Sequence, residues 1–151
     1  MTEKKLFSIL LFFIFVASFG FSQESAAVFP PQAIILASYR GDDITVRQLL
    51  AAGVDKDVRD ALGATALHAA MFQTNVAVVK LLLDYGYDPD VRATRNGGTP
   101  LHYAVSSNNL EAARLLLKYS ANRNIRNFDG LTPLDKARRE EKTDMAKLLY
   151  R

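Results

Sequence analysis

Gly97-Gly98-Thr99-Pro100-Leu101-His102-Tyr103-Ala104 decides the fold. The two glycines permit the positive φ that a tight turn needs. Thr99 follows as a helix N-cap, its hydroxyl able to accept from a free N–H of the first turn. Pro100 then takes the first helical position, where a missing N–H costs nothing. Leu101 and Ala104 lie three apart and share one face of the helix. The stretch therefore reads as turn, cap and short helix with an apolar side. It recurs upstream as Gly63-Ala64-Thr65-Ala66-Leu67-His68-Ala69-Ala70 and downstream as Gly130-Leu131-Thr132-Pro133-Leu134-Asp135-Lys136-Ala137. The threonines are 34 and 33 residues apart. A fixed period in that range marks a stacked array of repeats.

A second helix follows each motif. Val76-Ala77-Val78-Val79-Lys80-Leu81-Leu82-Leu83 leads to Tyr85-Gly86-Tyr87-Asp88, and Leu110-Glu111-Ala112-Ala113-Arg114-Leu115-Leu116-Leu117 leads to Tyr119-Ser120-Ala121-Asn122. Each has a broad apolar face and ends in a turn. Ser120 stands where Gly53 and Gly86 stand in the earlier repeats. A divergent first repeat is legible in Ala33-Ile34-Ile35-Leu36-Ala37, Gly41, Leu49-Leu50 and Gly53-Val54-Asp55.

With its T-P-L-H-x-A motif at this period, the chain resembles the ankyrin-repeat family. The resemblance covers residues 33–151 as four repeats, at about 33–61, 62–95, 96–128 and 129–151. It implies an all-α solenoid of stacked helix-turn-helix units joined by β-hairpin-like loops. It also implies a non-enzymatic module that binds another protein, with the partner on the concave side against hairpin tips and first-helix ends. The positions matching that surface are Tyr39-Arg40, Phe72-Gln73, Ser106-Ser107 and Arg139-Glu140, with Leu62, Ala64, Asn96, Phe128 and Leu131 at the tips. Exposed Tyr, Phe and Arg are typical hot-spot residues. For Phe72, surface and core are both open from the sequence.

Upstream, residues 1–22 read as a secretory signal peptide. Lys4 and Lys5 supply the positive start, Leu6 to Val16 is apolar apart from Ser8, and Ala17-Ser18-Phe19-Gly20-Phe21-Ser22 carries small residues for cleavage. Cleavage is expected after Ser22, with Ala17 an earlier alternative. The rival is an uncleaved membrane anchor, disfavoured because Leu6 to Phe21 is shorter than the ~20 residues of a spanning helix. Residues 23–32 form a linker in which Pro30-Pro31 discourages helix. An exported protein, periplasmic or secreted, is the resulting expectation, and a monomer that meets the membrane only during export.

Composition narrows the chemistry. There is no cysteine, hence no disulfide, thiol nucleophile or lipoprotein anchor. The net charge is +3, and one unit of it lies in residues 1–22. So small an excess does not mark a nucleic-acid binder. His68 and His102 are the only histidines. One repeat apart, they suggest a metal pair, but a zinc site wants a third protein ligand, and in the family this histidine ties repeats together. Asp55 with Asp57, and Asp88 with Asp90, recur at loop starts, where aspartate accepts from nearby N–H groups. Calcium would need six or more oxygens. No cofactor and no catalytic set is expected.

Arg59, Arg92 and Arg126 each lie four residues after Asp55, Asp88 and Asn122, with Arg95 and Arg123 nearby. They are expected in a row along the hairpins, either solvated or facing an acidic partner. The loop from Asp88 to Thr99 is one residue longer than its neighbours, so its finger is expected to bulge or project. Arg138-Arg139-Glu140-Glu141-Lys142 reads as a polar cap. Ile34-Ile35-Leu36 leaves the first repeat either covered by the linker or open to a partner. If the leader is removed as read, N-terminal sequencing of the mature protein should begin at Gln23, within a few residues; an intact Met1 in extracted membranes would overturn this.

Overall fold

The computed structural model describes residues 30–150. The expected leader and cleavage site and most of the expected linker lie outside the described residues. Eight helices are described, in four antiparallel pairs: α1 Ala33–Arg40 with α2 Asp43–Ala51, α3 Ala66–Ala70 with α4 Ala77–Asp84, α5 Pro100–Ser106 with α6 Leu110–Lys118, and α7 Pro133–Arg139 with α8 Thr143–Tyr150. Each first helix packs on the next first helix, and each second helix on the next second helix. The result is two helical layers joined by loops between successive pairs, with no strand among the described residues.

Local chemistry explains each helix start. Thr65, Thr99 and Thr132 hold extended backbone at the caps of α3, α5 and α7, with Pro100 and Pro133 just inside. Two of the second helices, α2 and α6, use short polar caps instead, while α4 starts at Val76 with no side-chain cap. Asp42 accepts from the Thr45 N–H at 3.0 Å, and Asn109 from the Ala112 N–H at 2.9 Å.

The core lies between the layers. Leu67 and Ala70 of α3, Met71 just beyond it, and Leu101, Ala104 and Val105 of α5 are buried in one cluster with Val78, Val79 and Leu82 of α4 and Ala112, Ala113 and Leu116 of α6. Each large side chain so buried contributes about 1.5–3 kcal/mol. Its neighbours come from adjacent repeats, so no single repeat can bury its own face. At the first repeat Ile34 and Ile35 turn inward, while Leu36 and Ile44 stay exposed.

The longer central loop takes its extra residue within the turn. Gly63 N–H bonds Asp60 O and Gly130 N–H bonds Asn127 O, three residues back, whereas Gly97 N–H reaches four back to Ala93 O at 2.9 Å. Buried Ala93 replaces the Asp60 and Asn127 side chains that close the other two turns, and Asn96 Oδ1 accepts from Gly98 N–H instead. The tip is also tied sideways, since Phe128 N–H bonds Asn96 O at 2.9 Å.

Second-helix ends show one conformational cost. Gly53 and Gly86 take φ of +76° and +89° just beyond α2 and α4, and Ser120 takes +64° beyond α6. A side chain there costs roughly 1 kcal/mol or more, offset in part by the lower unfolded-state entropy of a non-glycine residue. Ser120 is exposed and its N–H bonds Leu117 O at 3.0 Å, a bond glycine keeps. Ser120→Gly should therefore raise stability by a few tenths to about 1 kcal/mol, or roughly 1–4 °C in melting midpoint. A lower midpoint in calorimetry would contradict it.

Candidate functional site

The face built by first helices and hairpins carries two kinds of residue: those that join repeats and those that joining does not require. His68 belongs to the first kind. Its Nδ1 accepts from the Thr65 N–H at 3.1 Å, capping its own helix, and its Nε2–H donates to Gly98 O of the next repeat at 3.1 Å. His102 repeats this with the Thr99 N–H at 3.1 Å and Leu131 O at 2.9 Å. The acceptors fix the tautomer, because a carbonyl only accepts and an N–H only donates. With both ring nitrogens engaged, neither imidazole has a lone pair left for a metal. Among the described residues no three side chains of metal-binding type come together.

Burial holds His68 well below the ordinary histidine range, down to about 4, and lowers His102 for the same reason. In the fourth repeat Asp135 makes the capping half alone, accepting from the Thr132 N–H at 3.1 Å. No further repeat follows it among the described residues, so no carbonyl is left waiting for a donor.

The hairpin arginines also join repeats. Arg59 donates to Gly63 O and to Arg92 O, each at 2.8 Å. Arg92 donates to Arg126 O at 2.8 Å, and Arg126 to Gly130 O at 2.6 Å. The expected row is present, but its guanidinium groups are neither simply solvated nor turned wholly outward. Each satisfies loop carbonyls that would otherwise go unpaired.

A third series of bonds runs along the turns between paired helices. Gln73 donates to Tyr39 O, Ser107 to Met71 O at 2.7 Å, and Lys142 to Ser106 O at 2.8 Å. Gln73 and Ser107, read from the sequence as partner contacts, thus spend their polar groups on the preceding helix end. Ser106 is exposed, with its hydroxyl on His102 O. Arg40, Arg95 and Arg139 are exposed and make no hydrogen bond or ion pair among the described residues.

The second kind of residue is aromatic. Tyr39 is 54 % exposed and Phe72 is 48 % exposed, which places Phe72 at the surface. Their ring centroids are 5.9 Å apart, and Tyr103 extends the row at 6.2 Å from Phe72. Tyr103 rests edge-on against His68 at 4.7 Å, so the inter-repeat imidazole also supports the row. Beside it lies a shallow hollow of about 180 Å³, lined by Phe72, Asn96, Tyr103, Ser106, Asp129 and Lys136 among others. Sequence reasoning missed Tyr103. The available signal was its place in the motif: the variable position after histidine holds Ala69, Tyr103 and Lys136, so stacking does not dictate it.

These features define a tandem-repeat scaffold with one apolar, half-exposed strip on its first-helix side. A family model described as ankyrin repeats matches the chain in three copies, over residues 5–93, 33–127 and 87–151. The chain belongs to the ankyrin-repeat family. Ankyrin repeats are in general protein–protein interaction modules. A comparison with curated proteins finds no match.

The buried histidine couples this architecture to pH. The folded state prefers neutral His68, with its proton affinity near 4, while the unfolded chain binds a proton near 6.5. Between those values the unfolded state holds more protons, so stability is full above about pH 6.5 and falls as pH drops toward 4. The loss from His68 should reach roughly 3 kcal/mol at the acid end, with His102 adding in the same direction. Urea unfolding at pH 7, 6, 5 and 4.5 measures it. A flat profile across that range would rule out the buried neutral imidazole.

Proposed function

We propose that this protein is an exported, non-enzymatic scaffold that binds a protein partner through its first-helix face and hairpin tips. Support for export comes from Lys4, Lys5 and the apolar run Leu6–Val16. Support for the binding face comes chiefly from one observation, the row of half-exposed Tyr39 and Phe72 continued by the more buried Tyr103. Three adjacent aromatic rings at a surface lose favourable free energy to water unless something covers them. Stacking of repeats does not demand them, since Ser106 and Arg139 fill the place of Tyr39 and Phe72 in the later repeats. Of the candidate contacts, Tyr39, Phe72, Arg40, Arg95, Ser106 and Arg139 present free or exposed groups. Arg59, Arg92, Arg126, Gln73 and Ser107 contribute by holding the surface in shape.

The scaffold works by pre-organisation. Its rings and hairpins are fixed by inter-repeat bonds before any partner arrives, so association orders few side chains. No bond is made or broken in the partner, and no metal or cofactor takes part.

Phe72 replaced by a photo-reactive benzoyl-phenylalanine should cross-link the partner in the native envelope or secreted fraction, whereas the same group at exposed Lys80 on α4 should not. In parallel, Tyr39→Ala with Phe72→Ala should leave helical circular dichroism and the melting midpoint nearly unchanged while weakening partner binding by at least ~2 kcal/mol. Capture from Lys80 alone would move the site to the second-helix face. Collapse of the melting midpoint would make the rings structural.

A further inference from the structure

We infer that the segment received on this face is an acidic peptide stretch anchored by apolar side chains. It would place aliphatic or aromatic groups on Tyr39, Phe72 and Tyr103 and carboxylates on Arg40, Arg95 and Arg139. This rests on the reading of the first-helix face as the docking surface and says what chemistry that surface selects.

The charge argument comes from which cations remain available. Arg59, Arg92 and Arg126 are committed to loop carbonyls. Lys136 is paired with Glu140, and Lys142 is turned onto Ser106 O and the same Glu140. Arg138 of α7 lies over the Tyr150 ring, 5.9 Å from its centroid, which leaves Arg40, Arg95 and Arg139, all exposed and without a hydrogen bond or ion pair among the described residues. On the acidic side Asp60 is spent on the Leu62 and Ala64 N–H groups at 2.8 Å each, while exposed Asp129 at a tip and exposed Glu141 beside Arg139 are the opposing charges. Uncommitted charge on this face is therefore positive on balance. It also frames the apolar row: Arg40 adjoins Tyr39, Arg95 stands at the central hairpin tip, and Arg139 fills in the fourth repeat the place that Phe72 fills in the second. A carboxylate brought against apolar rings loses hydration and needs a guanidinium to replace it.

Spacing points to a peptide. Centroid separations of 5.9 and 6.2 Å fall between one helical turn, about 5.4 Å, and every second residue of an extended chain, about 6.7 Å. Three successive side chains on one side of a peptide can thus meet three rings in register. Single-stranded nucleic acid fits less well. Tyr39 and Phe72 are tilted 53° and Phe72 and Tyr103 83°, so no parallel pair is open to sandwich a base.

Fluorescence anisotropy with the full chain tests this using three labelled probes: a peptide of about twelve residues alternating leucine or phenylalanine with aspartate or glutamate, its counterpart with lysine for every acid, and an oligodeoxythymidine of about fifteen nucleotides. The acidic peptide should bind at least about tenfold more tightly than the lysine peptide, and weaken as salt rises from about 0.05 to 0.5 M. Alanine in place of its apolar residues should abolish binding. Combined Arg40→Glu, Arg95→Glu and Arg139→Glu, with circular dichroism unchanged, should reverse the preference between the two peptides. Equal or tighter binding of the lysine peptide that is lost on Tyr39→Ala with Phe72→Ala would overturn the acidic preference while leaving the docking face standing. Tighter binding of the oligonucleotide, or no peptide binding at about 1 mM, would overturn the inference. Peptide binding indifferent to Tyr39→Ala with Phe72→Ala would sink the docking face as well.

Discussion

Each of the two central repeats is closed by a hydrogen bond that also needs the next repeat. The imidazole of His68 caps α3 with one nitrogen and holds Gly98 O with the other, and His102 does the same between α5 and Leu131 O. A buried polar group left unpaired costs about 1–3 kcal/mol, so a helix pair folded without its neighbour carries an orphaned donor inside it. Arg59 and Arg92 apply the same constraint at the hairpins, and Gln73, Ser107 and Lys142 apply it, toward the preceding repeat, at the opposite helix ends. Three lines of bonds therefore join successive repeats in an array whose helices pack only on those of adjacent repeats. Cooperativity in such an array depends on these nearest-neighbour links.

The same division explains where function can reside. Positions fixed by stacking repeat in chemistry as well as in spacing: Thr65, Thr99 and Thr132, or Leu67, Leu101 and Leu134. Positions free of that demand vary, and on the first-helix side they collect Tyr39, Phe72 and Tyr103 into one strip. The strip is not independent of the frame beneath it. Tyr103 leans on His68, and Asn96 at the central tip donates to the Tyr103 hydroxyl at 3.3 Å. A loosened inter-repeat bond would therefore reach the docking surface as a displaced ring.

Most of the architecture was legible because it rests on local rules repeated at one interval. Threonine before Pro-Leu, glycine after the second helix and apolar residues three and four apart each name a conformation without knowledge of distant neighbours. The roles of the long polar side chains were not legible. Arg59 reaches Arg92 O in the following repeat, and Gln73 reaches back to Tyr39 O in the preceding one. Sequence spacing places such a side chain on a surface but does not say which carbonyl lies within its reach. Tyr103 was hidden for a different reason: it sits inside the motif, where the surrounding Thr99, Leu101, His102 and Ala104 draw a structural reading. The extra residue of the central loop was visible as a count, and its accommodation inside the Ala93–Gly97 turn was not.

Replacement of histidine by Asp135 gives the array a direction in the grammatical sense. A histidine-bearing repeat makes an open statement, with an N–H that must find a carbonyl to its C-terminal side; an aspartate-bearing repeat is a full stop, because a carboxylate caps its helix and offers nothing onward. Shuffling would respect that syntax. The third repeat moved to the fourth position would present an imidazole donor to solvent or to nothing, and the fourth repeat moved inward would leave a loop carbonyl unanswered in the middle of the stack. Modules of nearly equal length and shape are thus not interchangeable here, and lengthening the array beyond the fourth repeat would begin with restoring an imidazole at position 135.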